Sequence, residues 1–144
     1  MTRLMFICHG NICRSPMAEA VMTHLVAKAG RQAEFEIASC AVSTEELGHG
    51  VYPSAQRELA KHGIACPERR AVLLRQSDYA YYDRLICMEQ CNLKRALALL
   101  GGDPEHKLCL LLPDRDVADP WYFGKFDKVY RDIEEGCRRL LSEL

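Results

Sequence analysis

No segment of this 144-residue chain approaches the roughly 18 continuous apolar residues of a membrane span. Met1-Thr2-Arg3 opens onto a short apolar stretch, Leu4-Met5-Phe6-Ile7, well below the roughly 7–15 residues of a secretion-signal core, so a cytoplasmic protein is expected. A charge surplus is missing as well. With 19 Lys and Arg against 20 Asp and Glu, the formal net charge is -1 and both signs are dispersed, which argues against a nucleic acid or a membrane surface as partner. Repeats, low-complexity tracts and obvious linkers are also missing, so the length fits one domain over residues 1–144, able to bury a core without disulfide staples.

Cysteine, by contrast, is plentiful. Eight cysteines without a secretion signal point to thiols that are buried, reactive or metal-bound rather than to a disulfide framework. Cys8-x4-Cys13 and Cys87-x3-Cys91 have spacings that zinc could use, but that reading leaves Gly10, Asn11 and Arg14 unexplained and sets a cation beside a guanidinium. Cys40, Cys66, Cys109 and Cys137 read as small hydrophobes in or near the core.

Four apolar segments alternate with amphipathic ones. Leu4–Ile7, Phe35–Ser39, Leu85–Met88 and Leu108–Leu112 read as strands. Ala18 to Ala29, Pro53 to His62, Glu89 to Leu100 and a stripe from Phe126 to Leu144 read as helices, three of them closed by Gly30, Gly63 and Gly101. That rhythm implies an α/β fold, a flavodoxin-like four-stranded parallel sheet of order 2-1-3-4 with helices on both faces. The first strand is then central, and its C-terminal end lies where open parallel sheets bind ligands.

Cys8 stands at that end. From Cys8 to Arg14 the chain makes a strand-to-helix turn in which Gly10 and Asn11 tolerate positive φ, while Ser15 and Pro16 read as helix N-cap and first helical residue. Converging amides, a helix N-terminus and the Arg14 fork would hold a tetrahedral oxyanion and favour a thiolate inside it. Spacing alone proves little, because Cys109 and Arg115 stand equally far apart. The residues between them are bulky and lack glycine, so they read as the end of a strand and its exit.

Expelling an alkoxide or phenolate from a phosphate monoester requires an acid. Asp114, Asp116 and Asp119 all follow the last strand and emerge on the same sheet edge as Cys8; Pro120 restricts Asp119 to extended geometry. Trp121 and Tyr122 could pack on the domain or wall a pocket that holds a flat ring above a deep phosphate site.

Cys8-x-Gly10-Asn11-Ile12-Cys13-Arg14-Ser15-Pro16 followed by Met17-Ala18-Glu19-Ala20, with Asp119-Pro120-Trp121 downstream, resembles the low-molecular-weight protein tyrosine phosphatases over essentially the whole chain. The resemblance implies a metal-independent, cofactor-free phosphotyrosine phosphatase with Cys8 as nucleophile, Arg14 as phosphate clamp and Asp119, rather than its loop neighbours, as general acid and base. It also implies that Ser15 supports the leaving sulfur and Asn11 pins the loop. His9, Gly10, Asn11, Ile12, Cys13, Ser15, Trp121 and Tyr122 would meet the substrate, a phosphotyrosine protein or small aryl phosphate, with the enzyme a monomer or weak dimer. Cys13 either fills space or closes a protective disulfide with Cys8.

Two departures touch the rim. Thr44-Glu45-Glu46 stands where many members place an aromatic, and Pro67-Glu68-Arg69-Arg70 replaces a more usual serine-histidine pair. Ile12 resembles the tyrosine-directed members; a polar residue there marks arginine-phosphate-directed relatives. The alternatives are a thiol-dependent arsenate reductase relaying through Cys87 and Cys91, and a phosphoryl carrier or phosphopeptide-binding module.

Overall fold

The strands and helices follow from where apolar side chains fall along the chain. The computed structural model describes residues 1–120 and 124–144. Strands β1 (Thr2–Cys8), β2 (Phe35–Ala41), β3 (Arg84–Cys87) and β4 (Leu108–Leu110) form one parallel sheet in the order β2-β1-β3-β4. Alternation along β1 splits the core. Leu4, Phe6 and Cys8 face α1 (Arg14–Lys28), α2 (Pro53–Lys61) and α5 (Phe126–Ser142), whereas Met5 and Ile7 face α4 (Gln90–Leu100) and the side of the sheet carrying Cys40, Leu85 and Cys87. No helix of the described residues is long and apolar enough to cross a membrane.

Element ends differ from the sequence reading by no more than two residues, except that α1 begins at Arg14, four residues ahead of Ala18. Among the described residues, one α-helix has no counterpart in that reading. It is α3 (Gln76–Tyr81), six residues long and therefore too short to show periodicity, begun by the Arg75 N–H donating to the Asp78 carboxylate at 2.9 Å. The start of α1 is also corrected. Cys13, not Ser15, is its N-cap position, because the Ser15 hydroxyl is taken up within the preceding turn.

The second Cys-to-Arg match forms no turn of this kind. Cys109 lies in β4, and Arg115 pairs with Asp132 at 3.0 Å and Glu135 at 3.3 Å on α5.

Candidate active site

β1 delivers Cys8 to the C-terminal edge of the sheet, and α1 points its N-terminus at the same place. Between them Asn11 takes φ 61°, a left-handed conformation that asparagine adopts more readily than bulky residues. Gly10 does not share it. What glycine permits there is proximity: a Cβ on Gly10 would sit 3.1 Å from Glu46 Cγ, closer than an ordinary van der Waals contact.

Asn11 is fully buried and every polar atom of its side chain is used. Its amide donates to Ser15 Oγ at 2.7 Å and Ser39 Oγ at 3.0 Å; its Oδ1 accepts from Arg69 Nη2 at 2.6 Å and the Val72 N–H at 3.2 Å. Ser15 Oγ in turn lies 2.9 Å from Cys8 Sγ, which also accepts the Asn11 N–H at 3.2 Å. Because Ser15 accepts from Asn11, its own proton can go to the sulfur at 2.9 Å or to the Cys40 carbonyl at 3.5 Å, and the sulfur is the nearer. The network thus ends in two donors aimed at one thiol.

Arg14 is 2% exposed. Its Nη1 donates to the Val117 carbonyl at 2.8 Å and its Nη2 to Glu89 Oε1 at 3.0 Å, with Asp119 Oδ2 3.5 Å away. Burial works against the charge of the guanidinium, but Cys8, Glu89 and Asp119 outweigh it and hold its pKa above the ordinary value. Cys13, also buried, behaves oppositely. Burial first, then the neighbouring Cys8 and Asp119, push its thiol up to about 12.

Cys8, His9, Gly10, Ile12, Cys13, Arg14, Glu45, Glu46 and Asp119 line one open crater of about 380 Å³. A tetrahedral anion seated there would meet the guanidinium, the turn amides and the helix end together, with the Asp119 carboxyl on the wall of the same crater. Asn11 and Ser15 stand behind the crater, holding its wall. Trp121 and Tyr122 lie outside the described residues. The eight cysteines are free thiols, and among the described residues no three His, Cys, Asp or Glu side chains cluster to hold a metal.

Sequence reasoning missed Glu19, Ser39, Arg69 and Glu89. Arg69 Nη1 meets Glu19 Oε1 at 2.5 Å and Ser39 Oγ at 2.6 Å, so one guanidinium ties α1, β2 and the Asn11 turn together. The Pro67-to-Arg70 departure was the available signal: the turn is supported by Arg69. Glu89 could have been found as the polar residue opening α4, where it takes part in a capping box with Asn92 while holding Arg14.

Comparison with known proteins identifies the family. The family model described as "Low molecular weight phosphotyrosine protein phosphatase" matches residues 3–144. Low molecular weight protein-tyrosine-phosphatase YfkJ of Bacillus subtilis is 31% identical over 150 residues, covering 100% of this chain and 96% of its own, and its crystal structure superposes with a TM-score of 0.95 over 99% of this chain and 94% of that one. Low molecular weight phosphotyrosine protein phosphatase 2 of Drosophila melanogaster is 33% identical, covering 97% of this chain and 90% of its own. The crystal structure of the low molecular weight protein tyrosine phosphatase SP-PTP from Streptococcus pyogenes has a TM-score of 0.93 at 31% identity, covering 100% of this chain and 93% of that one. By sequence and by fold, this chain belongs to the low-molecular-weight phosphotyrosine protein phosphatases.

Proposed function

We propose that the chain hydrolyses phosphotyrosine through a phosphocysteine intermediate. The observation that carries this reading is the convergence on one crater of Cys8, donors from Asn11 and Ser15, the buried Arg14 and the Asp119 carboxyl. The Cys8 thiolate attacks phosphorus; the P–S bond forms as the P–O bond breaks, and Asp119 gives its proton to the leaving phenolate oxygen. Water then attacks the phosphocysteine, Asp119 takes its proton, and the sulfur departs as a thiolate stabilised by the Ser15 hydroxyl and the Asn11 amide. Arg14 and the turn amides hold the equatorial oxygens in both steps. Loss of a single such donor elsewhere costs on the order of 10²–10³ in rate.

Asp119→Asn tests the acid role. It should slow aryl phosphates with poor leaving groups far more than p-nitrophenyl phosphate, and equal slowing of both removes Asp119 from that role. Phosphoserine and phosphoarginine substrates assayed beside phosphotyrosine check the reading of Ile12.

The arsenate-reductase alternative is not favoured. Cys87 is fully buried in β3 and, unlike Cys13, does not line the crater that holds Cys8. Cys13 remains the proposed redox partner. Peroxide would oxidise Cys8 to a sulfenic acid, and attack by Cys13 would release water and close the disulfide.

A further inference from the structure

The phosphate end of the crater is cationic, but its mouth is not. Glu45 and Glu46 come from the loop after β2 and line the same opening as Cys8 and Arg14. Glu45 is exposed at the rim, its side chain 69% accessible, and its carboxylate meets His9 Nε2 at 3.2 Å. Glu46 is tucked deeper, at 29%, packed over Gly10 and held by His49 Nδ1 at 2.6 Å. Among the described residues lining the crater there is no lysine, and Arg14 is the sole arginine. Arg14 lies on the floor, buried and already paired with Glu89 and Asp119, so its charge does not offset the rim.

We infer that Glu45 and Glu46 select phosphotyrosine substrates carrying lysine or arginine beside the phosphorylated residue, and reject those with acidic flanks. The inference rests on the phosphotyrosine reading and names the substrate class within it. Once the phosphate is seated on Arg14 and the turn amides, the residues flanking it lie across the rim, where they meet two carboxylates. A cationic flank forms ion pairs there; an acidic flank is repelled. His9 and His49 fix both carboxylates in place, so little side-chain freedom remains to be lost when a cation arrives. These contacts are partly solvated, and each therefore changes binding by a small factor. Attraction on one side and repulsion on the other together give about a tenfold spread in kcat/KM, shrinking as salt rises.

The test compares three phosphotyrosine peptides of equal length with basic, neutral and acidic flanks, at about 50 and 200 mM salt. Basic should exceed neutral and neutral exceed acidic, with the spread narrower at higher salt. Glu45→Lys, which leaves Glu46 to oppose the new cation, should bring the three peptides close to equal. Glu45→Gln, an exposed change that tests the rim without touching the packing of Glu46 on Gly10, should reduce the basic-to-acidic ratio about threefold. Equal kcat/KM for the three peptides in a wild-type enzyme that turns over p-nitrophenyl phosphate and phosphotyrosine overturns the inference alone. A preference for acidic flanks, or a ratio unmoved by Glu45→Gln, does the same. Failure to hydrolyse any phosphotyrosine substrate overturns the underlying reading and this inference with it.

Discussion

Arg69 is the side chain whose role could not be read from its neighbours in sequence. It lies 58 positions from Asn11, yet its guanidinium closes the network that keeps the turn in shape. Removing it leaves the part-buried Glu19 carboxylate without its counter-charge and the Asn11 carbonyl without one of its two donors. Arg69→Met should cost about 1–3 kcal/mol in urea unfolding, and a double change with Glu19→Gln should cost less than the sum of the two single ones. Additive costs would mean that the pair does not act as a unit. Asn11 was legible from its tolerance of positive φ and Cys8 from its place at a strand end. Gly10 was legible only as glycine. Its reason, the close approach of Glu46, belongs to a loop 36 residues downstream, and no local pattern carries that contact.

Elements were clearest where apolar periodicity runs long. Along α5 the middle of the stripe expected from Phe126 to Leu144, namely Val129, Tyr130, Ile133, Cys137 and Leu140, is buried, and Phe126, Leu141 and Leu144 at its ends are partly buried against the same core. What the stripe does not reveal is Gly136. A Cβ there would lie 2.5 Å from Leu111 Cγ, so the glycine lets α5 press onto the chain leaving β4, the same segment that leads to Asp119. Gly136→Ala gains about 1 kcal/mol of helix propensity and meets an overpacking cost of about 1–3 kcal/mol. The expected outcome is a lowered midpoint in thermal unfolding; a raised midpoint would show that Leu111 moves aside freely. α4 illustrates another limit. Its glycine stop was legible, but the Glu89 at its start also grips Arg14, a tertiary contact across 75 residues. The order of the sheet was legible because alternating strands and helices in so short a chain leave few arrangements.

Taken together, the buried thiols make the protein sensitive to alkali. Burial raises the thiols of Cys13, Cys40, Cys87 and Cys137 above their ordinary value of 9.0, Cys13 to about 12. Each holds its proton in the folded chain and releases it more readily when unfolded. Their contribution to stability is therefore fully present below about pH 9 and is lost as pH rises through the folded values. The urea midpoint should fall steadily between pH 9 and 11 by this rule, and Cys137→Ala, though less stable at neutral pH, should fall less over that interval; parallel curves would contradict the assignment. The fold as a whole brings a thiol from β1, a guanidinium from α1 and a carboxyl from the segment after β4 to one edge of one sheet. The most direct test is acid quenching within the first turnovers of p-nitrophenyl phosphate, followed by mass spectrometry of the peptides. A phosphoryl group on Cys8, accumulating when Asp119 is changed to alanine and absent from Cys8→Ser, is the predicted result. Turnover without any adduct on Cys8, or a phosphoryl group on His9 instead, would contradict it.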